Sequence, residues 1–261
     1  MKSESGLVVL SVLNGLAFIA VITVNALANA LPIDGNTTGA LSDSYPNLFV
    51  PAGFTFSIWG VIYILLACFA VYQLAVSIKN VPAAGFVQSI GVLFILSSVA
   101  NVGWIFAWHY EKVFLSLLFM LAILISLILI YLRLEIGLSA IGGKERFFFH
   151  IPFSIYLGWI SVATVANVTA LLVNLGWNGF GLSEAVWAAA VIVVAFILSV
   201  LMISFRGDLF YTLVVVWALF GIFMKRINVD PEPAMPVVLA SAICGGLLVL
   251  LILYRLVRGR G

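Results

Sequence analysis

Tyr156, Trp159, Ala163, Asn167, Ala170 and Asn174 recur at three- and four-residue intervals in "IPFSIYLGWISVATVANVTALLVN", residues 151–174. On a helix this spacing draws one stripe, with two large aromatics at one end and small or amide side chains below. Two other stretches repeat the idea: Phe56, Trp59 or Gly60, and Tyr63 in one, and Asn101, Trp104 and Trp108 in the other. A lipid-facing stripe has no need of asparagine, and a tight helix–helix seam rarely needs tryptophan. Together they suit a cavity that is part apolar and part hydrogen-bonding. The chemistry on offer is ring stacking, indole N–H donation and amide hydrogen bonding. For a tryptophan at a span end the alternative is an interfacial anchor, and Trp108 and Trp177 are expected in that role. Trp59 and Trp159 lie two to three turns inside their runs, where both readings stand.

Other chemistries are missing. No Ser-His-Asp set, HExxH or Gly-rich phosphate loop occurs, so no catalytic residue and no metal ligand is assigned. Cys68 and Cys244 lie in apolar runs and read as small buried hydrophobes. Ionisable residues avoid the interiors of the apolar runs, whereas pumps and voltage sensors carry charge at depth. Most single Asn and Thr residues there are expected to bond neighbouring helices, since a polar group in lipid needs a partner.

The elements that must position these side chains are set by composition. Of 261 residues, 64% are hydrophobic and 8% charged, and mean hydropathy is +1.26. No soluble fold of this size hides so much apolar surface. The net charge of +2 gives no reason to expect nucleic acid. Run length and the lack of a period-2 pattern predict an all-α, polytopic membrane helix bundle. Eight spans are expected, at 6–31, 52–78, 84–108, 111–134, 149–174, 183–205, 207–225 and 235–257, the first being an uncleaved helix rather than a signal peptide. With the N-terminus inside, the cytoplasmic segments carry Lys2, Lys79, Arg133, Lys144, Arg146, Arg206, Arg255, Arg258 and Arg260. The outer segments carry only Lys112, Lys225 and Arg226, so both termini are expected in the cytoplasm. The pair Lys225 and Arg226 fits this scheme least well.

Three motifs in order give a family resemblance. "VPAGFTFSIWGVIY" keeps Pro51, Gly53, Phe56, Trp59 and Tyr63; "VANVGWIFAW" keeps Asn101 and Trp104; "IPFSIYLGWISVATVAN" keeps Pro152, Tyr156, Leu157, Trp159, Ala163 and Asn167. Residues 1–176 in this way resemble the TspO/MBR family of tryptophan-rich sensory and translocator proteins. The usual second Pro is Ala52, the following Trp is Phe54, and the Gly-Pro before Trp59 is Ser57-Ile58. The family normally has five helices, so residues 177–261 read as a three-helix transmembrane extension of a five-helix core.

The resemblance implies a ligand cavity inside the core for hydrophobic, often planar molecules such as porphyrins or sterols. It implies Trp59 and Trp159 nearest a tetrapyrrole, with Phe56, Tyr63, Asn101, Trp104, Tyr156, Ala163 and Asn167 around them. The 32–51 segment, with Pro32, Asp34, Tyr45, Pro46 and Pro51, would be the lid. The expected function is a membrane receptor or carrier in contact with the bilayer and a hydrophobic small molecule, with no required cofactor. An eight-helix transporter and a light-dependent porphyrin-degrading protein are the alternatives. Family members often dimerise, so a homodimer is the expected protein partner, with the added helices able to cover that surface.

Overall fold

The computed structural model describes residues 4–31, 33–79, 81, 84–229, 232 and 234–258. Its elements are α1 (Glu4–Ala30), α2 (Thr38–Asp43), α3 (Ile58–Ile78), α4 (Gly85–Ile90), α5 (Leu93–His109), α6 (Val113–Arg133), α7 (Gly143–Glu145), α8 (Ile151–Asn174), α9 (Glu184–Arg206), α10 (Leu209–Asn228) and α11 (Met235–Arg258). A 3₁₀ turn, Gly53–Ser57, leads into α3, and a π turn, Arg146–His150, joins α7 to α8. No strand occurs among the described residues.

Seven helical stretches among the described residues are long and apolar enough to cross a bilayer. The remaining expected span, 84–108, is not one helix: it is broken between α4 and α5 at Gly91, whose φ of 56° ends the first piece. Glycine adopts that conformation without a steric penalty, and a lone glycine in an apolar run leaves no other trace in the sequence. The remaining α5 has 17 residues, about 25 Å of helix. This falls just short of a hydrocarbon core.

Helix ends follow local chemistry. Ser183 caps α9 by accepting from the Val186 N–H, and Gly207, at φ 62°, closes its other end. Asp208 caps α10 through the N–H groups of Phe210 and Tyr211. The two helices therefore turn within two residues.

Packing orders the bundle. α1 lies against α3 and α5; α5 and α6 form a hairpin; α8 sits among α3, α6 and α10; and α9, α10 and α11 pack mutually. Small residues mark the closest approaches. A Cβ on Gly103 would fall 2.7 Å from the Phe119 ring, and one on Gly158 would fall 3.1 Å from the Val214 side chain. A polar layer bonds α1 to α3, with Asn14 Nδ2 donating to Gln73 Oε1 at 3.1 Å and Ser11 and Ser77 hydroxyls 2.8 Å apart.

The two ends of the bundle differ. At one, the 38–57 segment folds over the helix ends, tied to α5 by the Trp108 indole N–H donating to the Thr38 carbonyl (3.3 Å) and by Tyr45 OH to Glu111 (3.2 Å). At the other end, Arg133 donates to the Ser89 carbonyl (3.4 Å), Arg206 to Ile136 (3.4 Å) and Arg255 to Ser204 (3.0 Å).

Candidate ligand-binding site

The three aromatic stripes meet around Trp59. Its ring stacks on Tyr63 (centroids 5.5 Å apart) and lies 6.5 Å from Trp104, 6.0 Å from Tyr156 and 6.3 Å from Trp159. Phe56 meets Trp159 edge-on at 5.8 Å. One turn of α3 and the 3₁₀ turn before it thus hold two rings against α5 and α8.

Two cavities open from this cluster. The smaller, about 40 Å³, is walled by Pro51, Phe56, Trp59, Trp104, Trp108, Trp159, Ala163 and Asn167, with Thr38 and Ser42 of α2 above and Val162 and Ala166 of α8 beside them. The larger, about 280 Å³, is walled by Phe56, Trp59 and Tyr63 with Ile22, Asn25, Ala26 and Asn29 of α1 and Thr38 and Gly39. Trp59, Phe56 and Thr38 face both. Among the described residues, neither wall contains a charged side chain.

Asn101 and Tyr156 line neither cavity. They stand behind Trp59, where Asn25 donates to Asn101 Oδ1 (2.8 Å) and Asn101 Nδ2 donates to the Tyr156 hydroxyl (3.3 Å). Asn167 is likewise committed: its Oδ1 accepts the Trp104 indole N–H (3.0 Å) and its Nδ2 donates to Ser116 (3.0 Å). These bonds lock α1, α5, α6 and α8 together and fix the angle of the rings. Other buried polar atoms in the walls are unspent. Among the described residues, Trp159 Nε1, the Tyr63 hydroxyl and Thr38 Oγ1 have no hydrogen-bond partner. A buried donor left unmade costs about 1–3 kcal/mol.

Trp108 is not an interfacial anchor. It is 5% exposed and stacks on Trp104 at 6.1 Å, while Tyr45 packs on its other side at 5.6 Å. The 38–51 segment folds back over the end of α5 and encloses it. Trp177 remains at the end of α8, beside Phe180 and Trp187. The α1 and α2 residues of the larger cavity were also missed, although Asn25 and Asn29, one turn apart, were a usable polar signal.

Of the expected lid residues, Tyr45 is buried against Trp108, Pro46 is exposed, and Pro51 is buried in the cavity wall. Pro32 and the Asp34 side chain lie outside the described residues. Asn47 shapes the segment by accepting from the Phe49 and Val50 N–H groups (3.0 and 3.1 Å). The other hold on the segment comes from α10. The Ala52 N–H donates to the Gly221 carbonyl (3.0 Å), the Trp217 indole to the Thr55 carbonyl (2.9 Å), and Arg226 to the Val50 carbonyl (3.3 Å). Lys225 pairs with Asp43. The two cations that fitted the charge pattern least well are therefore spent on fastening this segment.

Apolar spanning helices around an aromatic core, closed at one end by a folded connection, define a multi-pass helical membrane protein. The family model described as TSPO-like protein matches residues 11–254, and the chain belongs to that family. The match runs through α9, α10 and most of α11, well past the last sequence motif at Asn167. No curated protein and no solved structure matches the chain.

Proposed function

We propose that the protein is a membrane receptor or carrier for a hydrophobic, planar ligand of the porphyrin or sterol type. The ligand lies between α1, α3, α5 and α8, beneath the 38–51 segment. The observation that carries this reading is the Trp159 indole N–H, buried without a partner in the wall of an aromatic cavity. Tyr63 OH and Thr38 Oγ1 stand unpartnered in adjoining wall. Apolar burial supplies most of the affinity, and a ligand oxygen or nitrogen accepting from Trp159 orients it. The cavities are small beside the roughly 300–1,000 Å³ of ordinary ligand sites. Uptake therefore includes outward movement of the 38–51 segment. The lysine- and arginine-rich end of the bundle, with both termini, faces the cytoplasm, and the 38–57 segment faces outward.

The test is titration of purified protein with a porphyrin and with a sterol, followed by quenching of tryptophan fluorescence. Trp159→Phe keeps most of the apolar area and removes the donor, so binding weakens by about 1 kcal/mol, roughly fivefold. Trp159→Ala costs more, because dispersion contacts go as well. Equal losses at Trp177→Phe, outside the cavity, would overturn the reading. Ligand accumulation in sealed vesicles then separates a carrier from a receptor.

A further inference from the structure

At the end of the bundle away from the tryptophans, the 136–141 connection, the start of α8 and the Arg206–Asp208 turn enclose a cavity of about 250 Å³. Its charged and titratable wall residues are Arg146, His150, Arg206 and Asp208. The carboxylate is already spent. Asp208 Oδ1 accepts from Ser154 (2.6 Å) and from the Phe210 and Tyr211 N–H groups, and Oδ2 accepts from Tyr131 (2.8 Å) and Ser154 (2.7 Å). Nothing remains there for a cationic ligand.

The cations are unspent. Among the described residues neither guanidinium has a carboxylate partner, and the one ion pair is Lys225–Asp43, at the opposite end. Arg146 rests over the Phe210 ring at 5.9 Å and Arg206 over the Tyr131 ring at 5.6 Å. Arg206 gives one N–H to the Ile136 carbonyl. Both therefore keep several donors free on side chains already held in place. His150 is buried, and its Nε2 is 3.1 Å from the Leu134 carbonyl. A carbonyl only accepts, so Nε2 carries the hydrogen and Nδ1 of the neutral ring is an acceptor without a protein partner.

We propose that this cavity binds a phosphate-bearing anion that also carries a hydroxyl group. The phosphate bridges Arg146 and Arg206, and the hydroxyl donates to His150 Nδ1. Guanidinium forks match phosphate oxygens in geometry as well as charge. Leu138 and Phe147, sequence neighbours of the wall residues Gly137, Ser139 and Arg146, are exposed, so acyl chains could continue from the cavity along apolar surface. The shared chemistry has two sources: the headgroup of a hydroxylated anionic phospholipid, or a soluble phosphate ester.

Two probes distinguish them on full-length protein in a neutral detergent. Phosphatidylglycerol retention is read by native mass spectrometry, and sn-glycerol 3-phosphate binding by calorimetry. Arg146→Gln, Arg206→Gln and their double variant are compared with Arg133→Gln, a cation at the same end but outside the cavity. Each cavity variant is expected to lower retention about tenfold, as loss of a charge-assisted contact implies, with Arg133→Gln unchanged. A response to glycerol phosphate alone keeps the site and assigns it to a soluble ester. Equal losses in all variants mean diffuse attraction to a basic surface and overturn the proposal, as does wild-type protein that binds neither probe. Should Arg206→Gln fail to fold, the exposed Arg146 carries the test.

Discussion

Gly221→Ala tests whether α10 holds the cavity mouth. A Cβ at position 221 would fall 2.0 Å from Thr55 Oγ1 and 3.0 Å from both Thr55 Cβ and Cγ2. Rotating the threonine side chain relieves the first contact but not the one to its Cβ, which is fixed to the backbone of the 3₁₀ turn. Something must therefore shift. Overpacking of this kind costs about 1–3 kcal/mol. The displacement also strains the bonds from Ala52 N–H to the Gly221 carbonyl and from Trp217 to the Thr55 carbonyl, each a net contribution of about 0.5–1.5 kcal/mol. A total of about 2–4 kcal/mol is expected, read as a lower unfolding temperature in detergent. Pro51, just ahead of the displaced turn, and Phe56, within it, line the tryptophan cavity, so ligand dissociation should quicken in parallel. Thr55→Ala removes Oγ1 and Cγ2 and should rescue much of the loss in the double variant, a coupling that independent sites do not show. An unchanged unfolding temperature and off-rate in Gly221→Ala, or strictly additive effects with Thr55→Ala, would refute the reasoning.

Two further predictions concern the orientation of the bundle and the hold on the 38–51 segment. A cysteine at Asn36 should react with an impermeant reagent on intact cells while one at Ser139 is protected, and the reverse pattern would invert the orientation. Burial first, and then the adjacent Glu111 carboxylate, push the Tyr45 hydroxyl up to about 12. The folded chain thus holds this proton more tightly than the unfolded chain, whose tyrosines titrate near 10. The corresponding stabilisation is fully present below about pH 10 and is lost as the pH rises through 12. Proteolysis within the 38–51 segment should accelerate over that window in the wild type, and Tyr45→Phe should remove the pH dependence; an identical profile in both would sever Tyr45 from the effect.

The tryptophan cluster was legible because its information is local. Each of the three stripes lies on one helix at helical spacing, and composition alone forces those helices into a membrane bundle. The fastening by α10 was not legible. Trp217 and Thr55 are 162 residues apart, and the acceptors at Val50, Thr55 and Gly221 are backbone carbonyls, which every residue possesses. Trp108 misled for a related reason. Its place at a span end suits an interfacial anchor, and only the return of the 38–51 segment across α5 turns that end into interior. Gly91 broke a helix inside an apolar run where nothing else changes.

The asparagines carry a further lesson. In lipid an amide without a partner is costly, so Asn25, Asn101 and Asn167 are drawn into bonds with one another, with Tyr156, with Trp104 and with Ser116. Those bonds set the positions of Trp59 and Trp104 and leave the amides with little to offer a ligand. In the proposed site recognition would fall instead to donors that packing has left unmatched, Trp159 Nε1 and the Tyr63 hydroxyl. Both sit on bulky rings, so each can be buried for its apolar area while its polar atom waits. Among the described residues neither cavity wall bears a charge, and a carboxylate carried inside would find no countercharge there. A ligand with acidic groups would therefore keep them outside both cavities; the outer pocket above the 42–50 segment sets Lys225 and Arg226 beside Asp43 and Glu184, with Lys225 already paired to Asp43. The aromatic walls would then select the flat apolar body, and the fastening of α10 to the 38–51 segment would govern how readily that body enters.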